Sequence, residues 1–185
     1  YIRGARVHSR QNQKNIFASI IALTLKHKRR YGGYIVHIGV LLFFLGLIGS
    51  SAFPLENSAT LRKGQAITVG NYELTFQGIE REIKKDRAID SAIFEVDKGD
   101  KSVGTVISEK HLFENFQPAT EVGIRSTLKE DLYVILADYD RAADIATVSV
   151  MVNPLVLWIW LGGTIMVLGT MIALTPDKTK VRNYD

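Results

Sequence analysis

The stretch from Gly32 to Ala52, GGYIVHIGVLLFFLGLIGSSA, carries no formal charge over about twenty residues. At 1.5 Å of rise per residue that is enough helix to cross roughly 30 Å of hydrocarbon. Arg29 and Arg30 stand immediately before it. One residue inside it does not suit a plain anchor: His37 lies roughly 10 Å past Arg30 along such a helix. An ionisable side chain at that depth needs a partner and marks a functional site by default.

A second apolar run occupies residues 154–174. The 185 residues are 46% hydrophobic, which would suit one soluble domain were the apolar residues evenly spread. Their concentration in two spans instead gives a membrane protein with two crossings and roughly 100 residues between them. The first span does not read as a cleaved signal peptide, because a long basic segment precedes it and no small-residue cleavage site closes a short apolar core.

Charge is partitioned along the chain. Residues 1–31 hold eight Lys/Arg and no Asp/Glu, whereas residues 53–152 hold twelve Lys/Arg against seventeen Asp/Glu. Basic flanks outside both spans put both termini in the cytoplasm and the acidic middle on the opposite face. The expected organisation is a cytoplasmic basic segment 1–31, a transmembrane helix 32–52, an exported β domain 53–152, a transmembrane helix 153–175 and a cytoplasmic tail 176–185. The pI near 9.3 then reflects topology, and nucleic acid is not an expected partner. The run IFASIIALTL, within 15–28, is too short to span and reads as a helix at the cytoplasmic interface, with His8 and His27 among solvated basic residues. The opening at Tyr1, on a polar basic run like the interior of a loop, makes the chain read as the C-terminal piece of a longer polytopic protein.

Glycines punctuate both spans. Gly39 and Gly46 share a helix face, and Gly162, Gly163 and Gly169 give the second span a small face of its own. Such faces let helices approach closely in lipid, so the first span expects neighbours that this chain does not contain. Between the spans the period changes to two. NYELTF sets Tyr72, Leu74 and Phe76 against Glu73 and Thr75, and DKGDK between SAIFEV and SVGTVIS predicts a hairpin. EDLYVILADY is apolar on both faces and suits a central strand. Six or seven short strands predict a small antiparallel sandwich or barrel, with no cysteine and hence no disulfide. Pro154 is expected in the first turn of the second helix.

Hydrolytic or transfer chemistry finds little material in the middle domain. It has one histidine, His111, and no phosphate loop, no nucleophile elbow and no His/Cys cluster at metal spacing. Its densest polar stretch, 118–133, holds Glu121, Arg125, Lys129, Glu130 and Asp131 and reads as a solvated edge with rim salt bridges. His37 has three readings on the residues alone: a hydrogen-bonding group between helices, a proton relay, or a metal ligand such as an axial ligand of haem iron. A bis-histidine haem would need a second histidine from outside these residues.

Three stretches, RRYGGYIVHIGV at 29–40, ATEVGIRSTLKEDLYVIL at 119–136 and NPLVLWIWLGG at 153–163, resemble the C-terminal part of the CcmF/NrfE family, the haem lyases of cytochrome c maturation. The resemblance implies a piece of a multi-pass inner (plasma) membrane protein that attaches haem to apocytochrome c. It implies that His37 matches one of the transmembrane histidines that hold a permanent haem b, the other lying upstream. It further implies, as partners, the remaining transmembrane spans, a CcmE-like haem chaperone, CcmH/CcmI-like subunits that present the apocytochrome, and apocytochrome c itself. No catalytic residue carries over, His111 matches no family ligand, and the segment alone is not expected to be an active enzyme. The rival reading is a two-span anchor displaying a β interaction domain as an assembly scaffold without haem. A proton-relay subunit is weakened by the lack of Asp, Glu, Lys or Arg within either span.

Overall fold

The computed structural model describes residues 27–113 and 117–175. The expected interfacial helix within 15–28 and the tail 176–185 fall almost wholly outside that range. Two helices, α1 (Lys28–Ala52) and α2 (Val156–Leu174), are long and apolar enough to cross a membrane. Between them, among the described residues, lie nine antiparallel strands. The chain divides into two compact units, Tyr1–Leu45 with Trp158–Asp185 and Gly46–Leu157.

In the first unit α1 and α2 run antiparallel and touch through glycine. A Cβ placed on Gly162 would lie 2.4 Å from the Phe43 backbone nitrogen, and one on Gly39 would lie 2.8 Å from the Gly162 carbonyl oxygen. One turn-pair further along, Gly32 and Gly169 make the same kind of contact with Ala173 and Val36. No side chain fits between the backbones there, which is how small residues bring helices together where lipid removes any hydrophobic drive. The neighbour that the small face of α1 expected is therefore, at Gly32 and Gly39, the second span of this same chain. The remaining surface is apolar and outward, with Leu41 71% exposed and Met171 62% exposed.

The strands of the second unit are β1 (Leu55–Arg62), β2 (Ala66–Val69), β3 (Tyr72–Ile83), β4 (Arg87–Lys98), β5 (Lys101–Phe113), β6 (Ala119–Glu121), β7 (Gly123–Ser126), β8 (Glu130–Asp140) and β9 (Ile145–Pro154). One sheet has the order β1-β9-β8-β7 and the other β2-β3-β4-β5-β6. The chain passes between sheets from β1 to β2 and from β6 to β7, so each pair of facing edges is joined and neither sheet presents two free edges. Nine strands exceed the six or seven expected because β2, β6 and β7 are only three or four residues long and show too little alternation to be seen. EDLYVILADY does form a central strand, β8, with neighbours on both sides. Pro154 is not in a helix: it ends β9 opposite Glu130, and Leu155, at φ 61°, turns the chain into α2.

The core follows the alternation. Leu74, Phe76, Phe94 and Val96 from one sheet meet Leu132, Val134, Leu136, Val148 and Val150 from the other, all fully buried. The Phe76 and Phe94 rings sit 5.3 Å apart. Two polar networks cross between the sheets at the two ends of β4. At one end Asp90, fully buried, accepts hydrogen bonds from Arg81 Nε at 2.6 Å and Nη2 at 2.5 Å, and from Tyr139 Oη at 2.5 Å. At the other, Lys98 donates to Glu130, which also accepts from Tyr72 Oη at 3.0 Å. These two sites are eight residues apart, roughly 26 Å along the strand.

The electrostatics follow from those contacts. The Arg81 guanidinium holds the Asp90 carboxyl below its ordinary range against the cost of burial, and burial with the Asp90 hydrogen bond pushes Tyr139 up to about 12. Burial alone would raise Glu130, yet the hydrogen bonds from Lys98 and Tyr72 hold it low. Each carboxyl thus binds its proton less readily folded than unfolded. The stability they confer is present above the unfolded carboxylate pKa of about 4 and is lost as pH falls through the lower folded values. We expect the thermal midpoint to be flat from neutral pH down to about 5 and to fall below it. Asp90→Ala, which strands Arg81 and Tyr139, should lower stability by about 3 kcal/mol at neutral pH and flatten that acid limb. For the helix pair, Gly162→Leu should destabilise by about 1–3 kcal/mol in detergent unfolding. Gly163→Leu, where nothing lies within 4 Å of an added Cβ, should change little.

Candidate functional site

His37 lies within α1, in the third turn after Lys28. The α2-facing positions Gly32, Val36, Gly39 and Phe43 define one side of the helix. At 100° per residue His37 falls roughly 130° away from them. Arg30, Tyr34 and Leu41 share that outward side, and all four are exposed in the helix pair. Arg30 Nε donates to Tyr34 Oη at 3.2 Å, and its guanidinium lies 5.9 Å from the Tyr34 ring centroid.

The imidazole is oriented by its own helix. His37 Nδ1 is 2.7 Å from the Gly33 carbonyl oxygen, one turn earlier. A carbonyl only accepts, so Nδ1 donates to it, and in the neutral imidazole Nε2 then carries the lone pair. That is the tautomer that ligation through Nε2 requires, with the second nitrogen fixed by a backbone carbonyl. Gly33 has no Cβ, and nothing lies within 4 Å of where one would sit, so space is open beside the ring. In its neutral form an imidazole with a bare Nε2 on the open side of α1 fits axial ligation of a haem iron. Among the described residues the helix pair brings no second histidine to it.

The stretch 118–133 resolves into several separate environments. It contributes β6, crosses sheets at Val122, forms β7, and turns at 127–129 into β8. The turn is held by Thr127, whose Oγ1 donates to the Glu130 carbonyl at 2.7 Å. The expectation of a solvated edge fails for two of its charges: Glu130 is drawn into the Lys98–Tyr72 network and Asp131 is 5% exposed, with Oδ1 unpaired. Burial, together with the neighbouring Asp131 carboxylate, pushes the phenol of Tyr133 up. Lys129 and Arg125 make no ion pair among the described residues.

His111, to which the sequence assigned no role, has carboxylate neighbours. On β5, Glu109 and His111 point to the same face, and Glu109 stands directly opposite Glu121 of β6. His111 Nε2 is 2.9 Å from Glu109 Oε2 and 3.9 Å from Glu121 Oε2. Hydrogen bonding from His111 holds the Glu109 carboxyl below its ordinary range. The Glu-x-His spacing on a strand could have signalled the first pair, whereas the arrival of Glu121 depends on a cross-strand register that the sequence does not display.

Comparison with known proteins agrees with this architecture. Residues 52–154 match the family model described as the CcmF C-terminal beta-sandwich. The cytochrome c-type biogenesis protein CycK of Rhizobium meliloti is 31% identical over 152 residues, covering 82% of this chain and 22% of that protein. The cytochrome c-type biogenesis protein CcmF of Pseudomonas aeruginosa is 28% identical over 170 residues, covering 91% of this chain and 25% of that protein. A solved structure, the cytochrome c heme lyase CcmF, superposes with a TM-score of 0.70 at 26% identity, covering 82% of this chain and 26% of that one. The chain thus spans about a quarter of the length of the relatives it matches. With two apolar helices flanking a nine-stranded sandwich and a family model matched over more than half its length, the chain belongs to the CcmF family of cytochrome c biogenesis proteins.

Proposed function

We propose that this chain is the C-terminal segment of a membrane haem lyase that attaches haem to apocytochrome c, and that His37 supplies one axial ligand to a haem b within it. The observation that carries this reading is the orientation of His37: Nδ1 is engaged by the Gly33 carbonyl, and Nε2 is left on the side of α1 turned away from α2. The second ligand comes from a span outside this chain. A haem b held there would supply the electrons that keep incoming haem iron reduced. The chain's own contribution is to present a neutral imidazole in an apolar setting and, through the Gly33 hydrogen bond, to hold it in one tautomer. The bond-forming cysteines belong to the apocytochrome, so no residue here acts as a nucleophile.

The segment sits in the inner (plasma) membrane with both ends cytoplasmic and residues 53–152 periplasmic, a reading supported by the basic bias of residues 1–31. On that side the β unit has access to a CcmE-like haem chaperone, to CcmH/CcmI-like subunits and to apocytochrome c.

Two experiments test these assignments. In membranes carrying the full-length protein, His37→Ala should lower haem content several-fold and shift what remains to five-coordinate, high-spin iron. Added imidazole should restore part of the low-spin spectrum. Unchanged haem stoichiometry and an unaltered low-spin spectrum would return His37 to a helix-packing role. For topology, a reporter active only outside the cytoplasm should stay silent when fused after Asp185 and be active when inserted at Gly99, an exposed turn position. The reverse pattern would invert the assignment.

A further inference from the structure

We propose that Glu109, His111 and Glu121 form a divalent-cation site of the zinc type, which clips the edge strand β6 to β5. The proposal is independent of the haem reading, because the two sites share no residue.

The three ligand atoms all lie within 4.8 Å of one another. A tetrahedral Zn²⁺ with bonds of about 2.0–2.1 Å sets its ligands about 3.3–3.4 Å apart. The two distances from His111 Nε2, 2.9 Å to Glu109 and 3.9 Å to Glu121, bracket that value. Closing the site therefore needs only a small rotation of Glu121, whose side chain is 67% exposed and able to move. His111 is the fixed member, its side chain only 9% exposed, with Nε2 directed at both carboxylates. One imidazole nitrogen and two carboxylates favour zinc and its transition-metal neighbours over calcium or magnesium, which prefer all-oxygen shells.

The surroundings are those of a supported ligand set. Ser91 Oγ donates to Glu109 Oε1 at 3.2 Å, orienting the carboxylate and leaving Oε2 for the site. Without a cation, Glu109 and Glu121 are like charges directly opposite on neighbouring strands, an arrangement that destabilises a sheet. Nearby on β3 and the turn after it, Glu82 and Lys84 pair with each other at 3.4 Å. A metal would also act where the sheet needs it. β6 has three residues, all exposed, and immediately after Glu121 the chain leaves for the other sheet. Ser108 Oγ already fixes the Glu121 carbonyl at 3.0 Å, and the cation would fix the side chain of the same residue.

The test uses the full chain in detergent, stripped with a chelator and titrated with Co²⁺ as a visible probe, followed by Zn²⁺ displacement. The wild type should bind one equivalent of Co²⁺ more than His111→Ala, with visible ligand-field bands that Zn²⁺ abolishes. Glu121→Gln, a change at an exposed side chain that leaves the fold intact, should weaken that binding at least tenfold. Zn²⁺ should slow hydrogen exchange of the amides at 119–123 in the wild type and not in Glu121→Gln. His37→Ala should leave the Co²⁺ titration unchanged, and in membranes carrying the full-length protein His111→Ala should leave the haem spectrum unchanged, so either assignment can fail alone. Equal Co²⁺ stoichiometry and affinity in wild type, His111→Ala and Glu121→Gln, or only millimolar binding by the wild type, would overturn the site.

Discussion

The backbone contact between α1 and α2 decides which side of each helix is left for anything else. In hydrocarbon two helices gain nothing by hiding apolar side chains from lipid, so they associate where small residues let backbones touch. Gly32, Gly39, Gly162 and Gly169 provide those places, and a methyl group at any of them would collide with the other helix. Once that face of α1 is used, Arg30, Tyr34, His37 and Leu41 are turned outward together. The imidazole therefore cannot serve as a packing bond between these two helices. The Gly33 carbonyl occupies one ring nitrogen, and Nε2 meets no partner on either helix among the described residues.

The β unit solves a different problem, that of holding two sheets in one alignment with no disulfide. Its interior is apolar and alternates with period two, so a two-residue slip of a strand would still present apolar side chains inward. The polar networks do not tolerate such a slip. It would take Asp90 away from Arg81 and Tyr139, or Glu130 away from Lys98 and Tyr72, and strand charges inside. Partly buried ion pairs of this kind add little to stability over well-packed apolar substitutes. Their contribution here is to penalise every register except one. Placing one network at each end of β4 fixes both the offset and the rotation of one sheet on the other.

Much of this was legible because each signal was local. Apolar length gave both helices, and the switch to period two gave an antiparallel unit whose core contains Tyr72, Leu74 and Phe76 as their alternation required. His37 stood out because an ionisable side chain within an apolar span is rare wherever it occurs. What sequence could not supply was pairing at a distance. Arg81 and Asp90 are separated by a turn and Tyr139 by some fifty residues, so their meeting has no periodic trace. The same holds for Glu109 and Glu121, which meet only because β6 docks antiparallel at one register. Pro154 misled because proline favours the first helical turn as readily as a strand end. The deciding residue was Leu155, whose left-handed backbone no pattern announces.

The stretch 119–133 illustrates how resemblance and geometry divide the credit. It contains the crossing from one sheet to the other, where a Cβ on Gly123 would lie 2.5 Å from the Ile107 carbonyl oxygen. Only glycine lets β7 pass β5 that closely. Thr127 closes the turn through its hydroxyl, Glu130 reaches the opposite sheet, and Asp131 and Leu132 are buried. Each of these residues has a structural reason to be what it is, within a segment first noticed for its charges. A partner surface would instead be written in side chains that the sandwich does not use, such as Ile124, 56% exposed on β7. The match over this stretch therefore weighs as evidence for the fold before it weighs as evidence for anything docked upon it.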